Sequence, residues 1–89
     1  MAEASVVRME GVLTMRTIAG LVDRALPEGN CVVDLAAVVE ADSAALALLL
    51  EWSRRLKARG DTLSVTGMPD GLKSLSELYG LDEVLPLAG

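Results

Sequence analysis

The sequence predicts a single α/β domain over residues 1–89, with a mixed sheet of four to five strands and about three helices. Apolar residues make up 52% of the chain and charged residues 24%, a balance typical of folded globular domains. Short β-branched runs alternate with segments of helical apolar period, and brief turn signals separate them. This alternation predicts a sheet with a parallel part and helices that cross over it.

The N-terminal part of the chain predicts two short strands and a helix. Residues 5–9 and 11–14 are predicted to be strands around a tight turn at Glu10-Gly11. The apolar period then becomes helical, with Thr14 as the expected N-cap and Pro27 ending the helix. The apolar stripe of this helix consists of Met15, Ile18, Leu21, Val22, Ala25 and Leu26. Gly20 interrupts it at a cost of about 1 kcal/mol of helix propensity, which packing must offset.

The rest of the chain predicts alternating strands and helices. Residues 31–35 form an apolar, β-branched run, which predicts a strand buried on both faces. A loop is expected over 36–41, the longest helix over 43–59, a strand over 62–66 and a third helix over 69–80. Three leucines of the third helix are expected to face the core: Leu72, Leu75 and Leu78. With so few helices, one sheet face should stay open.

Charge and hydropathy exclude several function classes. The chain carries 13 acidic and 8 basic residues, for a net charge of −5, so the phosphate backbone of nucleic acid is repelled. The basic residues that cluster, Arg54, Arg55, Lys57 and Arg59, are interpreted as cations that complement a helix C-terminus. The longest apolar run, 44–50, has seven residues, against about 20 for a membrane span. A single cysteine and no signal-peptide pattern favour a cytoplasmic location.

The chain offers few groups for catalysis. It has no histidine, and Cys31 begins a strand predicted to be buried, where a thiol is usually inert. Asp34 and Asp42 could form a carboxylate pair, but backbone capping accounts for both more simply. The turn at 67–71 lacks the cation of a phosphate loop, and Pro69 removes a backbone donor. We therefore predict no catalytic residue, no metal and no cofactor.

The long helix carries the strongest functional indication. At about 100° per residue, its apolar arc is centred on Leu49 and spans roughly 200°. A surface helix needs an apolar stripe of only about 100° or slightly more to pack on a core. Leu48 and Leu50 lie at the two edges of this arc. They either contact a partner protein or are covered by neighbouring helices of the same chain.

These segments resemble the STAS domain, which sulfate transporters and anti-sigma factor antagonists share. The resemblance is carried by Val33-Asp34-Leu35, by the run from Asp42-Ser43-Ala44-Ala45 to Leu49, and by Thr62–Gly67, and it extends from about residue 6 to 86. The antagonists usually have Asp-Ser-Ser-Gly at the helix start, and their kinase phosphorylates the second serine. Here that acceptor position is Ala44 and the glycine is Ala45.

The sequence is more similar to the MlaB-type STAS subunit of the bacterial Mla phospholipid-transport ABC system. That subgroup has a hydroxyl residue and then alanine after the aspartate, which Ser43 and Ala44 match, and a similar ending over 75–86. The resemblance implies a non-catalytic cytoplasmic subunit, peripheral at the inner membrane, that binds the transporter's ATPase. The net charge and the short apolar run separately predict no nucleic acid partner and no direct membrane insertion.

The resemblance and the helical arc together give a candidate partner-binding set. Its residues are Asp42, Ser43, Ala44, Ala47, Leu48 and Glu51. Ser43 could alternatively be the helix N-cap. In the alternative function, an anti-sigma factor antagonist or other partner-switching protein with a serine kinase, Ser43 is the candidate phospho-acceptor.

Overall fold

The computed structural model describes residues 4–81 and residue 85. Within these residues the chain forms three parallel strands, a short 3₁₀ turn and two α-helices. In chain order they are β1 (Ser5–Leu13), the 3₁₀ turn (Ile18–Gly20), β2 (Cys31–Ala41), α1 (Ser43–Ala58), β3 (Leu63–Thr66) and α2 (Asp70–Leu78). The α/β class is confirmed. The predicted mixed sheet of four to five strands and the predicted total of about three helices are wrong for the described part of the chain, which has three parallel strands and two α-helices.

β1 is one continuous strand, so the predicted turn at Glu10-Gly11 is wrong. β1 pairs in parallel with β2 along its length, and the register shifts between Arg8 and Glu10 and again between Gly11 and Val12. Gly11 has a φ of 74°, which a residue without a Cβ adopts at little cost. The glycine therefore accommodates an irregularity in the strand and does not reverse the chain.

The predicted helix over residues 15–26 is also wrong, because only the 3₁₀ turn forms there. Arg55 of α1 donates hydrogen bonds to the carbonyls of Val22 (3.0 Å) and Arg24 (3.1 Å). Pro27 disfavours the helical conformation of the residue before it. Part of the apolar stripe still packs against the core, although the segment is not an α-helix. The residues that do so are Ile18, Leu21, Val22 and Leu26.

β2 is longer than predicted, since residues 36–41 continue the strand and do not form a loop. The extended β1 supplies the pairing, with Glu10 opposite Ala37 and Leu13 opposite Ala41. The sheet order is β1-β2-β3, and β2 alternates between a buried and a more exposed face over its first five residues. The prediction that this run is buried on both faces is therefore wrong, whereas the prediction of an open sheet face is confirmed.

α1 covers the other face of the sheet and supplies more buried apolar residues than any other single element. Leu49, Trp52 and Leu56 are at most 1% exposed, which confirms Leu49 as a buried centre of the helix. The basic side chains Arg55 and Lys57 lie in the last turn, where they complement the helix dipole. Gly60 follows with a φ of 87°, a common helix ending.

β3 and α2 agree with the predicted strand and third helix to within a few residues. α2 packs on the core through Leu72, which is buried, and Leu75, which is half-buried. Leu78 is 75% exposed, and Tyr79 is 55% exposed. The expectation that Leu78 faces the core is therefore wrong, because the helix ends there and its side chain lies outside the buried face.

Candidate protein-docking site

The start of α1 is fixed by Asp42. Its carboxylate Oδ1 accepts a hydrogen bond from the Ala44 N–H at 2.8 Å, and its backbone φ of −125° and ψ of −170° are extended. The Asp42 N–H donates to the Leu13 carbonyl at 3.2 Å, which ties the helix start to the end of β1. Asp42 is thus the N-cap, and the alternative in which Ser43 caps the helix is wrong.

Four of the six predicted site residues reach the surface in one row along α1. Asp42, Ser43 and Ala47 are exposed, and Glu51 is half-exposed. At 3.6 residues per turn, positions 43, 47 and 51 lie on one side of a helix, each about one turn from the next. We call Asp42, Ser43, Ala47 and Glu51 the docking surface.

The other two predicted site residues lie in the core. Leu48 is 1% exposed and Ala44 is 7% exposed. Both belong to the buried side of α1. Of the two alternatives for Leu48, coverage by the protein's own chain is the correct one, so its side chain is not a surface contact. Leu50, at the other edge of the arc, is half-buried against the core.

Glu51 is engaged by a neighbour on the same helix. The guanidinium of Arg54 donates two hydrogen bonds to its carboxylate, at 3.0 and 2.5 Å. The hydrogen bond from Arg54 is the main cause that lowers the pKa of Glu51 below its ordinary value. The pair is exposed and has no net charge, so this end of the docking surface presents a neutral, polar margin.

A groove borders the docking surface on the side of the sheet edge. It has a volume of about 500 Å³ and is lined by Thr14, Met15, Arg16, Glu40, Ala41 and Asp42. It lies where β1 and β2 end, because the carboxyl ends of parallel strands meet at one edge of a sheet. Asp42 belongs to both the groove and the docking surface, so the two features are continuous.

The other residues considered from the sequence have structural roles. The Asp34 carboxylate accepts from the Ala36 N–H at 2.9 Å and lies 3.7 Å from the Arg8 guanidinium. Asp34 and Asp42 are separated by eight positions of nearly continuous strand, roughly 25 Å at about 3.3 Å per residue. They therefore do not form a carboxylate pair that shares a proton.

The turn at residues 67–71 and Cys31 are used for packing. Gly67 has a φ of 68°, and a Cβ on it would lie 2.7 Å from the Ala36 nitrogen. This close approach explains the glycine without a bound anion. Cys31 is buried, as predicted, and burial raises the pKa of its thiol. Within residues 4–81 and 85, no cluster of His, Cys, Asp and Glu has the arrangement of a metal site.

Most of the clustered basic residues at the C-terminal end of α1 bind groups of their own chain. Arg54 pairs with Glu51, and Arg55 is hydrogen-bonded to the carbonyls of Val22 and Arg24. Arg59 pairs with Asp61 at 2.7 Å and donates to the carbonyls of Pro27 and Gly29. Three of the four clustered cations are therefore engaged within the chain.

Sequence reasoning missed Met15 and Glu40 as residues beside the site. Met15 was assigned to the buried stripe of a helix, yet it is 79% exposed. The signal that could have found both residues is positional. Each lies at or just after the end of a parallel strand, at the same edge from which α1 begins.

Comparisons with known proteins agree with this architecture. A protein-family model described as "Mlab, STAS domain" matches residues 1–87. The chain is also similar to the crystal structure of a sulfate transporter family protein from Wolinella succinogenes. The TM-score is 0.70 at 20% identity, and the match covers 92% of this chain and 70% of that chain, a likeness in fold. A comparison with curated proteins gives no match.

Proposed function

The chain belongs to the MlaB-type STAS domain family, and from this we propose that it is a non-catalytic accessory subunit of a phospholipid-transport ABC transporter. In this proposal it binds the cytoplasmic ATPase of the transporter through the docking surface and stays peripheral to the membrane. The described part of the chain contains no helix long and apolar enough to cross a bilayer.

The observation that carries the proposal is a rigid and accessible start of α1. The Asp42 cap and its bond to Leu13 hold the first turn in place, while Ser43 and Ala47 stay exposed. Small side chains on a fixed helix let the backbone of a partner approach closely, and little conformational entropy is lost on binding. The same features give no obvious chemistry, which suits a protein contact better than a reaction.

The test is binding of the chain to the ATPase of the Mla-type transporter from the same organism, measured by isothermal titration calorimetry. Ala47→Glu places a long charged side chain in the middle of the docking surface, and we expect Kd to rise at least about 30-fold, the effect of a central hot spot. Ala58→Glu is the matched control, because Ala58 is also exposed, on the last turn of the same helix. Equal binding by wild type and Ala47→Glu, or no binding at all, contradicts the proposal.

The alternative function is an anti-sigma factor antagonist or another partner-switching regulator. Exposure of Ser43 at the first position of α1 favours this alternative, since a phosphate is stabilised at a helix N-terminus. Ala44, at the usual acceptor position, has no hydroxyl and is buried. Phosphopeptide mass spectrometry after incubation with the cognate serine kinase separates the two functions, because only the regulator acquires phosphate on Ser43.

A further inference from the structure

We propose that the groove beside the docking surface is a second contact of the same interface, and that it receives a lysine or arginine side chain of the partner. This inference rests on the proposed function and adds the chemistry of the partner. The shared residue Asp42 makes the groove and the docking surface one continuous patch. A partner seated over Ser43 and Ala47 therefore extends naturally across the groove.

Met15 gives the groove an apolar contact. Its side chain is 79% exposed, although a methionine loses favourable burial when it stays in water. The turn that carries it is held by hydrogen bonds. The Thr17 hydroxyl donates to the Val12 carbonyl at 2.8 Å and accepts from the Thr14 N–H at 2.9 Å, and the Ile18 N–H donates to the Thr14 carbonyl at 3.0 Å. A preorganised apolar residue of this kind is a good binding anchor.

The charges that line the groove indicate the sign of the occupant. Glu40 and Asp42 are acidic and Arg16 is basic, and neither Glu40 nor Arg16 forms an ion pair with another residue in the described ranges 4–81 and 85. Two carboxylates thus face one guanidinium, on a chain with a net charge of −5. An acidic partner segment is disfavoured there, and a second copy of this chain brings the same negative charge.

A long basic side chain fits both the apolar surface of Met15 and the excess of negative charge in the groove. The methylene stem of lysine or arginine packs on apolar surface while the charged end stays near water. Here the stem would contact Met15, and the cation would face Glu40 and the Asp42 oxygen that the Ala44 cap leaves free. The positive charge of Arg16 opposes this attraction. Removing that charge should therefore lower Kd for the partner, and replacing it with a negative charge should lower Kd further.

The experiment measures Kd for the same organism's Mla-type ATPase with paired substitutions. Met15→Ser and Glu40→Lys should each raise Kd at least about 10-fold. Leu78→Ser is the control for Met15, since Leu78 is 75% exposed at the C-terminal end of α2, away from the groove, and it should leave Kd within about 2-fold. Arg16→Glu should lower Kd, because it replaces the one positive charge of the groove with a negative charge. A higher Kd for Glu40→Lys together with a lower Kd for Arg16→Glu identifies a basic occupant.

The outcomes separate this inference from the proposed function. If Ala47→Glu weakens binding while Met15→Ser and Glu40→Lys do not, the docking surface stands and the groove proposal is overturned. If Arg16→Glu weakens binding as much as Glu40→Lys, the occupant is not basic and the proposal is likewise overturned. An ATPase that does not bind the wild-type chain overturns both.

Discussion

The two ends of α1 make opposite use of their side chains. At the C-terminal end, Arg55 and Arg59 donate hydrogen bonds to carbonyls of the segment before β2, so this end binds its own chain. At the N-terminal end, Ser43 and Ala47 face solvent. The difference indicates that the basic side chains at the C-terminal end stabilise the fold, whereas the exposed side chains at the N-terminal end stay available for the proposed recognition. Substitutions should therefore affect one property or the other, depending on their position.

The largest expected effect comes from Leu48, which directly follows the exposed Ala47 in α1. Leu48→Glu places a carboxylate in the core and removes a side chain that is 1% exposed, a loss of about 4 kcal/mol or more. Such a loss is a large share of the 5–15 kcal/mol typical of a domain. Circular dichroism during thermal unfolding measures it. Ala47→Glu, one residue earlier, should keep the wild-type melting temperature within about 2 °C, and equal destabilisation by both contradicts the assigned helix orientation.

A second large effect is expected at Gly67. Gly67→Ala adds a Cβ at 2.7 Å from the Ala36 nitrogen and at a φ of 68°, so we expect a loss of about 2 kcal/mol or more. Gly71→Ala is the control, because it lies in α2 with nothing within 4 Å of the added Cβ. It should stabilise the protein by at most about 0.5–1 kcal/mol, because Gly71 lies in the first turn of α2. Urea unfolding measures both, and a loss on Gly71→Ala would place that glycine outside a helix.

A smaller effect is expected from the C-terminal end of α1. Arg55→Ala removes two hydrogen bonds from a charged donor to the carbonyls of Val22 and Arg24, for a loss of about 1.5–3 kcal/mol. Amide hydrogen exchange should also become faster in residues 18–24. Arg54→Ala, which breaks only an exposed pair with Glu51, should cost much less. If Arg55→Ala and Arg54→Ala lower the free energy of unfolding equally, the hydrogen bonds of Arg55 do not stabilise the segment around Val22 and Arg24.

The smallest expected effect is a pH dependence from Glu51. The pKa of Glu51 is lowered in the folded chain, mainly by the hydrogen bond from Arg54. Its contribution to stability is therefore present at pH values above its unfolded pKa and is lost as pH falls through the folded pKa. The effect is small because the pair is exposed. Urea unfolding from pH 7 to 3 measures it, and Glu51→Gln should remove this part of the pH dependence; an unchanged profile contradicts the pairing.

The elements that sequence reasoning predicted well are those with strong local signals. α1 has the Asp42 cap, an apolar period, basic residues in its last turn and Gly60 after it, and its observed limits are close to the predicted ones. Residues 15–26 have a similar apolar period but no helix. Periodicity identifies four stripe residues that pack on the core, although Met15 of the same stripe is exposed. It does not reveal that Arg55, more than thirty positions later, donates hydrogen bonds to the carbonyls of Val22 and Arg24.

The candidate site was predicted only in part, because local sequence signals do not report tertiary contacts. Asp42 and Ser43 follow from a local motif, and the structure places both at the surface. Leu48 was wrong because the width of an apolar arc does not say which of its edges is covered by other elements. Met15 was missed because its exposure depends on the failure of a predicted helix and on the meeting of two strand ends, which are tertiary features.

The most direct test of the account is a hydrogen–deuterium exchange footprint of the chain with and without the ATPase. We predict that binding protects amides at residues 43–47 and in the turn at 14–17, while α2 exchanges as in the free chain. The C-terminal turn of α1 should be unchanged as well. Protection confined to α2 or to the open sheet face, with residues 43–47 unaffected, would contradict the assignment of the helix start as the recognition surface.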